Sequence, residues 1–584
     1  MNSLVLVLFS FAGYIAAYYL YGKFLGKKLF DLSVKNKMPS HEKYDGVDFV
    51  PTKKHIVFGH HFTTIAGLGP IVGPAIGVIW GWLPAFLWVF LGSIFMGAVH
   101  DFTTLVISAR NQGKTIGDLT GDIISPSTRY AFQFIMQFLL FLVLSVFAMI
   151  VGTLFLMYPA SVIPVWAQLP IAIWLGAQIK NGKNDLIYSI IALLLVYATI
   201  VLGAYYPVDL TKWGFIQRLA GSHANVRDVA VVTWCVILFI YVYIASSLPV
   251  QILLQPRDYI NSHQLLVAMG LIVLGLFVAH PVMVAPAINS AAFDIGSDVP
   301  PIMPMLFIII ACGAISGFHS IASSGTTVKQ VDKENDTLFI GYGAMLTESF
   351  LAVLVIVSVA GGIGLGWGGL KGVAAYHQHY STWAGANGLG PQLQAFIVGA
   401  ANLLESYGIP AKIGMTMVAV FIVSFANTTL DSATRMQRLS FQEIFTGRDG
   451  KKNILTNRFI ATAVVVIAAG IMTFIQPGGK GALLLWPMFG ALNQLLAALG
   501  LGVVTLYLYH KGKSYLLTFI PMLLILGMTL WAMINNIIGF IRKDDTILVL
   551  FSVIILLLTA WLLIGGIFSL FQREKVGRLV PDFK

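Results

Sequence analysis

Apolar runs of about 20 residues recur from one end of the chain to the other, and each is long enough to cross a hydrocarbon layer of about 30 Å as a helix. Inside a bilayer a chain must satisfy its own backbone, so repeated runs of this kind specify a bundle of spanning helices. The composition agrees: only 10% of the 584 residues are charged and 57% are hydrophobic, against about 25% charged in soluble proteins. We therefore expect an all-α polytopic membrane protein, and a soluble enzyme is excluded. The first run, Leu4 to Leu20, has no basic residue before it and no small-residue cleavage pattern after it, so it reads as a retained helix and not as a signal peptide.

Hydropathy places about fifteen spans, near 4–21, 60–80, 84–108, 130–157, 164–179, 185–206, 229–249, 265–285, 302–320, 338–362, 410–430, 458–476, 484–508, 515–537 and 546–570. Leu393 to Leu404 is apolar but too short to cross, and reads as an outer, re-entrant or lid helix. With the N-terminus outside, only Lys212, Arg218, Arg227, Lys371, Lys412, Lys480, Arg542 and Lys543 of the 36 basic residues fall on the external side. The other basic residues, among them Arg257, Lys329, Arg435, Arg438, Arg448, Lys451, Lys452, Arg573, Lys575, Arg578 and Lys584, are expected in cytoplasmic loops. The positive-inside rule then favours N-out and C-in, and the +11 net charge reports topology instead of a nucleic-acid partner.

Several function classes drop out. Cys235 and Cys312 both lie in apolar runs and cannot frame a disulfide scaffold or a Cys-based zinc site. Gly113-Lys114-Thr115 and Gly512-Lys513-Ser514 are not P-loops, because Ser108 and Tyr507 stand where a Walker A motif needs glycine. Nothing in the histidine spacing specifies a haem or metal site, so no cofactor is expected.

The second span carries Gly67, Gly69, Pro70, Gly73 and Pro74 within eight residues. The prolines remove donors and the glycines permit unusual dihedrals, so a broken helix is expected over about 60–80. A half-helix beginning near Pro70 would turn free amides and a positive dipole end toward the bilayer centre, a ready carboxylate site. The alternative is close helix packing through small residues. A similar interruption runs from Gly313 to Thr327 and includes Gly317, His319 and Ser320, in a span of opposite direction over about 302–327. Paired, interrupted helices of inverted topology point to an alternating-access transporter.

Ionisable groups at membrane depth are costly and commonly line cavities or relay protons. The third span holds His100 and Asp101 and the tenth holds Glu348; a buried structural pair is the plainer reading. His60 and His61 read equally well as capping or as functional groups. In the eleventh span, Ser424, Thr428 and Thr429 suggest a hydroxyl-lined cation site, and Asp431 with Arg435 forms an i, i+4 pair beside it that could serve as a gate. The alternative there is a helix end with back-bonded hydroxyls and a basic cluster.

The run Ser40-His41-Glu42-Lys43-Tyr44-Asp45-Gly46-Val47-Asp48-Phe49-Val50-Pro51-Thr52, then Gly59-His60-His61-Phe62, Ala66 to Pro74, Gly97-Ala98-Val99-His100-Asp101-Phe102, Gly317-Phe318-His319-Ser320 and Thr428 to Arg435, resembles the carbon starvation protein A family over most of positions 1–500. The resemblance implies a bacterial inner-membrane transporter induced on nutrient limitation, with members assigned to peptide uptake and others to proton-coupled pyruvate uptake. The family is similar to the amino acid, polyamine and organocation superfamily, whose inverted five-helix repeats give the leucine transporter fold. Span two would match that fold's first helix, span nine its sixth and span eleven its eighth. Six spans separate the two interruptions instead of four, so an extra pair, such as 164–206, must be inserted.

The expected organisation is a first helix and basic loop (1–58), two inverted halves of a transport core (59–301 and 302–508) and C-terminal peripheral helices (509–584). The expected activity is symport of a small carboxylate or short peptide. Gly67, Gly69, Pro70, Gly73, Gly317, His319 and Ser320 would hold the substrate. His100, Asp101 and Glu348 would couple protons, or Ser424, Thr428 and Thr429 would bind sodium. The alternative is a channel or nutrient sensor without coupled transport.

Overall fold

The computed structural model describes residues 2–222, 224–294, 298–386, 389–446 and 453–571. Of the basic residues counted above, Arg448, Lys451, Lys452, Arg573, Lys575, Arg578 and Lys584 lie outside them. Among the described residues the elements are helical, joined by loops and isolated bridges. Twelve helices among the described residues are long and apolar enough to cross a membrane: α1 (Ser3–Leu29), α4 (Trp82–Arg110), α5 (Pro126–Met157), α6 (Pro159–Lys180), α7 (Asp185–Tyr205), α8 (Val226–Ser247), α9 (Leu254–Ala279), α12 (Leu338–Leu365), α15 (Ala411–Phe445), α17 (Trp486–His510), α18 (Leu516–Arg542) and α19 (Thr546–Leu570). A thirteenth span is the bent pair α2 (Lys54–Ile65) and α3, which begins at Gly69.

The expected count of about fifteen is slightly high, for two physical reasons. The run at 302–320 carries the expected interruption and makes two short helices, α10 (Ile302–Ile309) and α11 (Gly317–Gly325), separated by unwound chain, neither long enough to cross alone. The run at 458–476 makes only the 17-residue α16 (Arg458–Phe474). The apolar stretch around Leu393–Leu404 lies in the 17-residue helix α14 (Leu389–Glu405), packed on α12 and α15.

The first interruption has the form that its sequence dictates. α2 ends at Ile65, Ala66 leaves helical geometry with ψ 50°, and α3 restarts after a 48° bend. Pro70 sits in the first turn of α3, where its missing N–H costs nothing. Among the described residues, the Leu68 and Gly69 amides donate to no group. In the second interruption Ile310 and Ser316 bracket the unwound segment. Six spans, α4 to α9, lie between the two breaks, so the two broken elements run in opposite directions.

The glycines at the first break serve close approach. A methyl group on Gly69 would stand 2.3 Å from Cys312 Sγ, and one on Gly73 would stand 2.4 Å from the Ile309 carbonyl. The two breaks therefore meet face to face, and small-residue packing and helix breakage, posed above as alternatives, both operate at once. The far end of α3 is held by a short outer helix, α13 (Val373–Tyr380): Tyr380 Oη donates to the Ala75 carbonyl at 2.6 Å and Tyr376 Oη to the Val78 carbonyl at 3.2 Å.

Candidate functional site

His100, Asp101, His319 and Glu348 come from three helices, α4, α11 and α12, and all four are fully buried. Asp101 is the centre. Its Oδ2 lies 2.9 Å from His319 Nδ1 and its Oδ1 lies 3.1 Å from His100 Nδ1. The other face of the His319 ring looks at Glu348, with Nε2 3.4 Å from Oε2. His319 Nε2, both Glu348 oxygens and His100 Nε2 have no hydrogen-bond partner. Two carboxylates thus share one buried cluster with two imidazoles and, among the described residues, no lysine or arginine within ion-pair distance of either. An uncompensated buried charge is costly, so protons are the counter-charge available to this cluster.

Helix α11 presents His319 because of a residue the sequence reading missed. Asn493, on α17, accepts from the Phe318 amide at 3.0 Å and exchanges bonds with Ser316 Oγ at 3.1 and 3.2 Å. This side chain caps the second half-helix and fixes the turn carrying His319. α17 reaches it because Gly317 is bare: a methyl there would stand 2.3 Å from the Asn493 carbonyl. Further along α17, a methyl on Gly500 would lie 2.9 Å from His100 Nε2 and 3.4 Å from Ser320 Oγ, which places Ser320 at the edge of the same cluster. The available signal was the polar pair Asn493-Gln494 inside an otherwise apolar run.

The expected hydroxyl group on α15 divides between two helix faces. Ser424 accepts from Gln168 at 2.9 Å; Thr428 accepts from Asn261 at 2.8 Å and back-bonds to the Ser424 carbonyl. Thr429 is on the other face, against the first break: a methyl on Gly67 would lie 2.5 Å from its Oγ1, and it donates to the Thr64 carbonyl at 3.4 Å. Thr64 in turn donates to Ser432 at 3.2 Å. The oxygens gathered at the first break are therefore those of Thr429, Thr64 and Ser432, while Ser424 and Thr428 face α6 and α9.

Asp431 and Arg435 do not bridge each other. Asp431 takes a two-pronged bond from Arg257, at 2.6 and 3.0 Å, and a third from Tyr241 at 2.6 Å. Next to Arg257, Asp258 lies 2.5 Å from His60 Nδ1, whose Nε2 is 3.1 Å from Thr326. His61 meets Thr327 at 2.9 Å. Both histidines are fully buried, so neither is a solvated cap. Arg435 and Arg438 instead hold Asp48 of the first loop, at 2.6 and 2.7 Å. Burial alone would raise the Asp48 carboxyl, but the Arg438 and Arg435 guanidiniums overcome it and hold the group well below the usual carboxylate range. The same loop is anchored by its backbone: Val50 and Thr52 donate to the Lys329 and Gln330 carbonyls, and Val250 donates to Val47. Arg257, Lys329, Arg435 and Arg438, counted above as loop charges, are in fact buried. α9 begins at Leu254 rather than near 265, and so carries Arg257 and Asp258 inside.

The structure of MhsT in complex with L-phenylalanine superposes on 83% of this chain and 98% of its own, with a TM-score of 0.51 at 12% identity. Two broken helices of opposite direction, meeting at their breaks, give this multi-pass membrane protein the fold of the leucine transporter, and its relatives, which are named as transporters and not as enzymes, make it a membrane transporter. The chain belongs to the carbon starvation protein CstA family, which matches residues 2–363 and 369–532. It is 30% identical to the peptide transporter CstA of Campylobacter jejuni over 92% of this chain and 80% of that one. It is also 30% identical to the pyruvate/proton symporter BtsT of Escherichia coli, over 91% of this chain and 81% of that one.

Proposed function

We propose that the protein is an inner-membrane symporter that takes up a small carboxylate such as pyruvate, or a short peptide, driven by the proton gradient. The observation that carries this reading is the fully buried Asp101–His319–Glu348–His100 cluster, which has proton-binding groups but no fixed cation. It is joined to the helix break through Asn493 and Gly317. The substrate carboxylate is taken by the free Leu68 and Gly69 amides at the start of α3, where Pro70 brings no N–H of its own, while Gly67 and Gly73 let Thr429 and the Ile309 carbonyl close around the break. Gly317, His319 and Ser320 form the facing wall. Proton arrival at His319 changes its bond to Asp101, and this bond ties α11 to α4. Movement of one half against the other then follows protonation. The gate is Arg435 with Asp48 rather than with Asp431, closing the basic side, which we take as cytoplasmic with the N-terminus outside.

A sodium-coupled reading has its own support in Thr429, Thr64 and Ser432 gathered against the first break. Proteoliposome uptake of labelled pyruvate and of a labelled dipeptide, under imposed proton or sodium gradients, separates the readings. Saturable accumulation driven by protons is expected. Absence of uptake of both substrates refutes the substrate assignment, and accumulation that follows sodium alone refutes proton coupling.

A further inference from the structure

Along the outer wall, α1, α9 and α12 leave a lateral fissure of about 780 Å³. Its walls are apolar: Phe11 and Tyr19 from α1, Leu266 and Phe277 from α9, Phe339 and Phe350 from α12. The floor is bare at two glycines. A methyl on Gly270 would meet nothing within 4 Å, and one on Gly343 would only touch Tyr18, Phe339 and Phe58 at 3.6–3.9 Å. From Val7 to Tyr19 the fissure follows α1 for about 18 Å at 1.5 Å per residue, close to one leaflet's half of a hydrocarbon core about 30 Å thick. It is therefore as deep as one acyl chain is long.

One end of the fissure is charged. Lys23 Nζ lies 4.4 Å from the centroid of Tyr19, a wall residue, and Lys27 follows four residues later on the same helix. Both lysines are exposed, and among the described residues neither has an acidic partner within ion-pair distance. At the other end the wall residues Val7 and Phe11 are apolar. An apolar slot about one acyl chain long, with exposed lysines beyond one end and apolar wall residues at the other, is complementary to a lipid with an anionic head and fits a zwitterionic one less well.

We propose that this fissure is a binding site for an anionic phospholipid, its acyl chain between α1, α9 and α12 and its phosphate at Lys23 and Lys27. The bound chain also touches Phe58 of α2, the half-helix leading into the first break, which stacks on Phe339 with ring centroids 4.6 Å apart. The lipid therefore packs on the half-helix that leads into the first break.

The test is native mass spectrometry of the full chain extracted from vesicles of equal phosphatidylglycerol and phosphatidylcholine content. The wild type is expected to retain phosphatidylglycerol. Gly270→Trp, whose side chain enters open space, should lose it at least tenfold, and Ile15→Trp, on the opposite wall, should do the same should the first variant fold poorly. Lys23→Ser with Lys27→Ser should reduce the preference for phosphatidylglycerol about thirtyfold, at about fivefold per lysine. Equal retention of the two lipids overturns the proposal, as does unchanged retention in a folded tryptophan variant. Cross-linking of two chains through Phe11→Cys would show that a second copy fills the fissure and would equally overturn it.

Discussion

Replacing Gly69 by alanine tests whether the two helix breaks face each other as closely as the geometry states. The new methyl would lie 2.3 Å from Cys312 Sγ and 2.4 Å from Cys312 Cβ, where non-bonded heavy atoms settle at about 3.5–4.0 Å. Relief requires one half-helix to retreat by about 1.3 Å, and overpacking of this kind costs about 1–3 kcal/mol. We expect the apparent midpoint of thermal unfolding to fall by about 2–6 °C, and gradient-driven uptake to fall about tenfold or more, at 1.4 kcal/mol per decade. Cys312→Gly removes both offending atoms, and the nearest remaining one is its Cα at 3.9 Å. The double variant Gly69→Ala/Cys312→Gly should therefore recover the stability of Cys312→Gly alone. Gly73→Ala, which meets the Ile309 backbone carbonyl, has no side chain whose removal can rescue it. A Gly69→Ala protein of wild-type stability, or one that Cys312→Gly fails to rescue, would refute the contact and the facing of the breaks.

Asp101→Asn should abolish proton-driven accumulation while leaving exchange of substrate across the membrane; full accumulation in this variant would make the carboxylate structural. Asn493→Leu removes the acceptor of the Phe318 amide, so a loss of about 1–3 kcal/mol is expected in thermal unfolding, with uptake falling alongside. Asp48→Ala leaves Arg435 and Arg438 buried without their carboxylate, at a cost of about 3–5 kcal/mol; stability measurements on Asp48→Ala, Arg435→Gln and the double variant should be strongly non-additive. The Asp48 carboxyl is depressed by folding, so its contribution is present above the unfolded value of about 3.9 and is lost only as pH falls through the lower folded value. The difference in stability between wild type and Asp48→Ala should accordingly be constant from about pH 5 to 8.

The spanning helices and the two breaks were legible because each is a local signal: a run of apolar residues, or glycine and proline concentrated within one turn or two. The run at 458–476 misled because hydropathy registers apolarity and not the length of the helix, which is 17 residues there. Asp101, His319 and Glu348 were legible as candidates because ionisable residues are rare at membrane depth, and the fold brings those three together with His100. What sequence spacing could not supply is the choice of partner. Asp431 and Arg435 stand one helical turn apart, yet each has a better-placed partner from another helix or loop. Ser424 and Thr428 differ from Thr429 by little along the chain, but by a helix face in space. Asn493 acts on α11 from 175 residues further along the chain, and only packing reveals it.

An inverted repeat offers, by its symmetry, two helix starts able to attract an anion. In this chain the symmetry is spent unequally, for the amide side chain of Asn493 already satisfies the start of α11 while the amides beginning α3 stay open. On the symport reading proposed above, that inequality predicts one negatively charged group carried per protein per cycle, however alike the two halves are in outline; two labelled carboxylates bound per protein would refute it.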